Sequence, residues 1–248
     1  MNALTPEVST TEPFIYEYSQ SPCGSLRTRV AGAQVMLRAS GALWLEAERA
    51  LVVADLHLEK GSSYAARGQM LPPYDTRETL MRLAAEVEAL APAMVVLLGD
   101  TFHDRKSEGR LAADDAERLR GLARGRTLVW VVGNHDADGP QALPGDTVAE
   151  LTLLGLTLRH EPQAGLQPGE VAGHLHPAAR VTASRGSVRR RCFITDGDRA
   201  ILPAFGAYAG GLNVRDQAFA GMFARPPLAG ALGTHRVHAV GWRSLTGD

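Results

Sequence analysis

The stretch Ala50-Leu-Val-Val-Ala-Asp-Leu-His57 decides the fold: a short apolar run dominated by leucine and valine passes straight into an acid and an imidazole. Runs of this length and composition suit strands buried on both faces of a sheet. The same grammar returns twice. Ala93-Met-Val-Val-Leu-Leu98 runs into Gly99-Asp100, and Thr127-Leu-Val-Trp-Val-Val132 runs into Gly133-Asn134-His135-Asp136.

What lies between the runs is helical. Leu80, Leu83, Ala84, Val87, Leu90 and Ala91 recur at helical spacing, with Asp75 placed as an N-cap and Glu78 as its reciprocal partner. Leu111, Ala112, Leu119, Leu122 and Ala123 form a weaker stripe that stops before Gly125, read as its C-terminal cap. Strand, helix, strand, helix, strand implies a parallel sheet. Ligands bind such sheets beyond the carboxyl ends of the strands, so Asp55, His57, Asp100, Asn134 and His135 are expected to converge.

Upstream, Gln34–Arg38 and Leu43–Ala47 flank a Gly-containing turn and read as a hairpin at the sheet edge. Residues 1–33, rich in Thr, Ser, Pro and Glu, read as a loosely held lead-in, and residues 34–248 as one domain. After Pro140 short strands around Gly155, Glu170–Ala172, Val181, Arg191–Thr195 and Val237–Val240 imply a second, mostly antiparallel sheet. No repeat and no linker divides the chain.

Composition narrows the class. The chain has 248 residues, 45% of them hydrophobic, enough for one substantial core. No apolar run approaches the roughly 18 residues that span a bilayer. Glu7, Glu12 and Glu17 replace any basic, apolar leader, so a cytoplasmic location is expected. Cys23 and Cys192 read as free thiols. With 26 Lys plus Arg against 27 Asp plus Glu, nucleic-acid affinity requires a local patch.

Further imidazoles follow. His160 closes the apolar run from Leu151, and Gly173-His174-Leu-His176-Pro177 supplies two more, so six of the eight histidines lie in these loops. Mixed imidazole, carboxylate and amide donors suit divalent Mn, Fe, Zn or Ni.

The ordered set Asp-x-His, Gly-Asp, Gly-Asn-His-Asp, His, Gly-His-x-His over residues 55–176 resembles the calcineurin-like metallophosphoesterase superfamily. That resemblance implies an α/β, two-sheet αββα sandwich with a binuclear metal site at strand carboxyl ends. It implies one metal, most simply Mn, on Asp55, His57, Asp100 and His176, and a second on Asp100, Asn134, His160 and His174. Two such cations hold a shared hydroxide for in-line attack on a phosphoester. His135 then stabilises the transition state or protonates the leaving oxygen, with Asp136 orienting it from behind.

Superfamily phosphatases commonly read Gly-Asp-x-x-Asp, whereas this chain reads Gly99-Asp-Thr-Phe-His103-Asp104-Arg105. A histidine there resembles the nuclease branch and favours diester cleavage. Together with Asp55-Leu-His-Leu-Glu-Lys-Gly61 and Leu202-Pro-Ala-Phe-Gly-Ala-Tyr-Ala-Gly-Gly211, it resembles the bacterial ligase-associated DNA-damage-response endonucleases. DNA is the implied substrate, with a DNA ligase, a helicase and an exonuclease-like protein as implied partners. Lys60, Arg67 and Arg105, with Lys106, are placed to grip phosphates at the metal rim. Arg185–Arg191 is the densest basic run, able to bind DNA backbone without reading sequence. Phe205, Tyr208, Gly210 and Gly211 read as a structural turn, and His235 and His238 lie outside every ligand motif. The alternatives are a phosphoesterase for small nucleotide or cyclic substrates and a non-catalytic scaffold; the filled ligand set argues against the scaffold.

Overall fold

The computed structural model describes residues 16–69, 71–183 and 186–248. Two eight-stranded sheets stack face to face. The first comprises β1 (Ser19–Gln20), β2 (Leu26–Val30), β3 (Ala33–Leu37), β4 (Leu43–Leu45), β5 (Ala50–Ala54), β6 (Met94–Leu98), β7 (Thr127–Val131) and β8 (Asp146–Val148), in that spatial order. The first five form an antiparallel meander, and β5 to β8 are parallel. The three apolar runs of the sequence are thus adjacent parallel strands, with β5 buried at every residue.

Two helices cover the outer face. Leu80 and Leu83 of α2 (Asp75–Leu90; α1 is the short helix Lys60–Ala65) and Leu119 of α3 (Ala113–Gly121) pack on Leu51, Val53, Val95, Leu97, Leu128 and Trp130. The opposite side chains of the same strands, Val52, Ala54, Val96, Leu98, Val129 and Val131, meet Leu156, Leu158, Val171, Phe193 and Leu202 of the second sheet. This is the alternation a strand must show when both faces are covered.

The second sheet contains β9 (Glu150–Leu153), β10 (Leu156–Arg159), β11 (Glu170–Ala172), β12 (Ala178–Ala183), β13 (Gly186–Thr195), β14 (Ala200–Ile201), β15 (Leu228–Leu232) and β16 (Val237–Gly241). It is mostly antiparallel, as expected, but β10–β11 and β11–β14 are parallel. The two stacked sheets with flanking helices are the expected α/β sandwich, and the outer face of the second sheet is closed by irregular chain. Among the described residues no α-helix covers it: Ile194, Ile201 and Ala229 are closed over by Val214, Phe219 and Leu245 from irregular segments and short 3-10 turns.

Several local expectations are corrected. The lead-in ends well before residue 33, because Leu26-Arg-Thr-Arg-Val30 alternates buried and exposed and pairs with β3 through the turn Ala31-Gly32, both at positive φ (46° and 84°). Residues 1–15 lie outside the described residues. With β1 and β2 beyond it, the β3–β4 hairpin is internal rather than the edge. Asp75 is the first residue of α2 rather than its cap, and its carboxylate accepts the Gly61 backbone N–H at 3.1 Å. The second helix starts after Leu111 and Ala112 and ends at Gly121, four residues short of Gly125.

Candidate metal centre

Six of the seven expected ligands converge between the two sheets. Asp55 and His57 follow β5, Asp100 follows β6, His160 follows β10, and His174 and His176 follow β11. Donor atoms of Asp55, His57 and His176 lie within 4.8 Å of one another, as do those of Asp100, His160 and His174. Individual approaches are close: His176 Nε2 to Asp55 Oδ1 is 3.2 Å, His160 Nε2 to Asp100 Oδ1 is 3.4 Å, and His57 Nε2 to Asp100 Oδ2 is 3.9 Å. Asp100 therefore touches both groups.

The backbone is strained to achieve this. Asp55, His57, Asp100, His174 and His176 all have positive φ, half of the ten non-glycine residues that do so among the described residues. Left-handed backbone at a non-glycine residue costs on the order of 1–3 kcal/mol, so such clustering marks a site whose geometry was selected over stability. Glycines supply room. A Cβ on Gly133 would meet the Asp100 backbone nitrogen at 2.2 Å, and one on Gly99 would meet His160 Nδ1 at the same distance.

Electrostatics fit a cation. Burial and the facing His176 imidazole push His57 down to about 3, leaving it neutral and able to offer a lone pair. Burial works to raise Asp100, but the His160 hydrogen bond and charge hold it below the usual carboxylate range, and Asp100 in turn raises His160 against burial. Two buried carboxylates and four imidazoles, with His57 Nδ1 and His160 Nδ1 making no hydrogen bond, form a donor set suited to divalent transition metals.

Asn134, the seventh expected ligand, follows β7 and is exposed, with its Nδ2 donating to Glu161 at 3.4 Å. That contact engages the amide nitrogen and leaves Oδ1 as the atom available to a cation. Glu161 was invisible to sequence reasoning, although it adjoins His160.

His135 and His103 stand at the mouth, their rings stacked with centroids 5.6 Å apart and planes 20° apart. His135 Nδ1 lies 2.8 Å from the His103 carbonyl oxygen, which only accepts, so Nδ1 carries the proton and Nε2, 3.8 Å from Asp100 Oδ2, is the functional nitrogen. Burial and the Lys60 charge, reinforced by His135 and Arg67, lower the His103 pKa, so this imidazole is neutral at pH 7.

Asp136 does something other than orient His135. Its carboxylate accepts three backbone N–H groups, from Thr101 (2.7 Å), Phe102 (3.2 Å) and Gly133 (2.9 Å), clamping the loops after β6 and β7 together. Burial nevertheless raises its pKa. Asp104 is held likewise, by a two-pronged Arg110 ion pair at 3.0 and 2.8 Å.

The expected phosphate-gripping residues differ in their partners. Lys60 Nζ donates to the Tyr208 carbonyl at 3.0 Å, Arg67 is exposed near enough to His103 to repel its proton, and Arg105 is 74% exposed beside Asp138 at 3.9 Å. Lys106 is exposed on the same loop. The basic run is split: Arg185 lies outside the described residues, Arg189 pairs with Asp248 at 3.3 Å, and Arg190 and Arg191 enter a separate groove. The Phe205–Gly211 segment is a turn, with Phe205 buried against Arg82, and His238 lies on β16 away from the centre. Both cysteines are unbridged. Among the described residues no helix is long and apolar enough to cross a membrane.

Comparison with known proteins agrees with this geometry. No protein of curated function matches the chain in sequence. Among solved structures, the nuclease MPE of Pseudomonas putida is similar at 28% identity and TM-score 0.66, over 87% of this chain and all (100%) of that one. Yfce, a phosphoesterase from E. coli, is similar at 16% identity and TM-score 0.38, over 77% of this chain and 98% of that one. The family model of the calcineurin-like phosphoesterases matches residues 48–197, which contain every residue of the centre. The chain belongs to the calcineurin-like phosphoesterases, hydrolases of phosphoester bonds.

Proposed function

We propose that this chain is a metal-dependent phosphodiesterase that nicks DNA. The observation that carries the reading is His103, a second imidazole stacked on His135 at the mouth of the centre, where superfamily phosphatases commonly place an aspartate. A neutral imidazole there can donate a hydrogen bond to a non-bridging oxygen of a diester, which an ionised carboxylate cannot. Similarity to a nuclease over that protein's whole length supports the same reading.

Asp55, His57, Asp100 and His176 would hold one divalent cation, and Asp100, Asn134, His160 and His174 the other. When bound, such a pair supplies a water of lowered pKa as the nucleophile and neutralises phosphoryl oxygens. The protein's own groups do the rest. His135, in its protonated form, gives the Nε2 proton to the departing oxygen while the His103 carbonyl holds Nδ1 and fixes the ring. Lys60, Arg67 and Arg105 contribute positive potential at the rim. Mn as the native metal, DNA repair as the setting, a cytoplasmic location, and association with a DNA ligase, a helicase and an exonuclease-like protein belong to this proposal.

Metal-stripped protein incubated with closed circular DNA and with a bis-aryl phosphate, adding Mn, Mg, Zn or Ni in turn, tests it. Nicking that requires both metal and Asn134, read with Asn134→Ala, is the expected result. Cleavage of the small diester without nicking replaces DNA by a small nucleotide or cyclic phosphoester, and absence of both reactions rejects the diesterase reading.

A further inference from the structure

A groove of about 840 Å³ lies on the same edge of the sandwich as the metal centre. Strand register places it there. Leu37 pairs with Leu43 and Leu43 with Val52, so Arg38 emerges beside the carboxyl end of β5; Ile194 pairs with Ile201, so Arg191 lies past the carboxyl end of β14.

Four guanidinium groups from three elements line it: Arg38 after β3, Arg82 on α2, and Arg190 and Arg191 on β13. Its one carboxylate, Glu86, is already committed to Arg38 at 2.7 Å. The other three arginines are bonded to neutral carbonyls: Arg82 to Phe205, Arg190 to Arg189 at 3.3 Å, and Arg191 to Ala204 and Gly206 at 2.9 and 2.7 Å. Arg82 Nε is buried with no partner at all. Burial and repulsion from Arg191 push the Arg82 guanidinium down to about 10, and burial lowers Arg191 too. Glu78 on α2 offsets part of this charge, but four arginines against Glu78 and Glu86 leave an excess of partly desolvated positive charge, which is costly and which a bound anion relieves.

The groove is also coupled to the centre through backbone. Arg82 and Arg191 grip residues 204–206, and that segment donates from Phe205 N to the Ala54 carbonyl at 2.8 Å and from Gly206 N to the Asp55 carbonyl at 3.1 Å. One wall of the groove therefore rests directly on the first metal-binding loop.

We propose that this arginine groove is a DNA-backbone site: Arg38, Arg82, Arg190 and Arg191 take up phosphates of the strand whose scissile phosphate sits at the metal centre. The inference rests on the DNA reading of that centre and gives it a path. Guanidinium groups suit phosphate oxygens geometrically; with four of them in the groove and His235 its one aromatic ring, contacts to phosphate dominate, so binding is sequence-independent and salt-sensitive.

The test is binding without turnover. Full-length protein in chelator is titrated into a fluorescently labelled DNA duplex and the matching single strand, across a salt series. Arg190→Glu, an exposed position, is expected to weaken binding about tenfold or more near 100 mM salt and to flatten log Kd against log salt by about 0.9 for each phosphate that the protein no longer neutralises. Arg190→Ala should weaken it less, in the same direction. Arg120→Glu on α3 is the matched charge reversal away from the groove and should shift affinity less than about twofold. Equal affinity in Arg190→Glu and Arg120→Glu overturns the groove, as does wild-type protein that binds neither DNA. Failure of the nuclease reading shows separately, as absent metal-dependent nicking by protein whose binding still depends on Arg190.

Discussion

His103 and His135 divide one job at a single stacked contact, and their variants should separate. His135→Ala is expected to retain bound metal and lose about 10²-fold or more in turnover, since one acid–base group contributes on that order. His103→Ala should lose more on diesters than on monoesters; equal losses on both would reject its role in diester recognition. Metal content of each variant, measured beside kcat/KM on a bis-aryl and a mono-aryl phosphate, decides. A different residue-scale contrast concerns the thiols. Burial works to raise Cys23, but hydrogen bonds from Ser21 and Ser25 and the Arg38 charge bring it down to about 7, whereas complete burial pushes Cys192 well up. About half of Cys23 is therefore thiolate at pH 7, so iodoacetamide should alkylate Cys23 alone in folded protein, with the rate falling as pH drops below 7. Equal labelling of Cys192, seen by mass spectrometry, would contradict its burial. The cluster of six expected donors was legible because each follows a strand in fixed order. The roles of Asp136 and Glu161 were not, because their partners lie 35 and 27 residues away, across loops that sequence does not juxtapose.

At the scale of elements, the site depends on three strand ends meeting without room to spare. Gly133 has no left-handed backbone to explain it, only proximity: a methyl group there would strike Asp100 at its nitrogen and at Oδ1, 2.2 and 2.3 Å away. Gly133→Ala should therefore displace the residue common to both donor groups while leaving the strands intact. Metal affinity should fall about tenfold or more, in line with other supports of metal ligands, with the far-ultraviolet circular dichroism unchanged. Wild-type metal affinity, measured by calorimetry, would show that the loop moves aside at little cost. The parallel strands and α2 were readable because apolar composition and period are strong signals. β2 carried the right alternation, Leu26-Arg-Thr-Arg-Val30, but its five residues follow a polar stretch that dilutes the pattern. The start of α2 departs from its expected cap because Asp75 finds a better partner in Gly61, a tertiary contact overriding a local rule.

For the whole molecule, the metal centre is the seam between the sheets. Asp55, His57 and Asp100 come from the first sheet, and His160, His174 and His176 from the second, while the outer face of the second sheet is held by irregular chain and 3-10 turns. That second half has its own anchor, the buried Arg199, which bonds Glu170 and the carbonyls of Gly165 and Met222, the latter two at 2.9 and 3.1 Å. Nothing in the sequence distinguished Arg199 from a surface arginine, since its burial arises only when distant loops close over it. Divalent cation binding should consequently stabilise the sandwich as one unit. Metal at about 100 times its Kd adds about 2.7 kcal/mol to a state that alone binds it. For a domain of this size that raises Tm by about 5–10 °C. Asp100→Asn, which weakens the residue touching both donor groups, should abolish most of the increment. Thermal scans with and without Mn check this. Metal that activates hydrolysis without moving Tm, or an undiminished increment in Asp100→Asn, would mean that the cations do not tie the two sheets together.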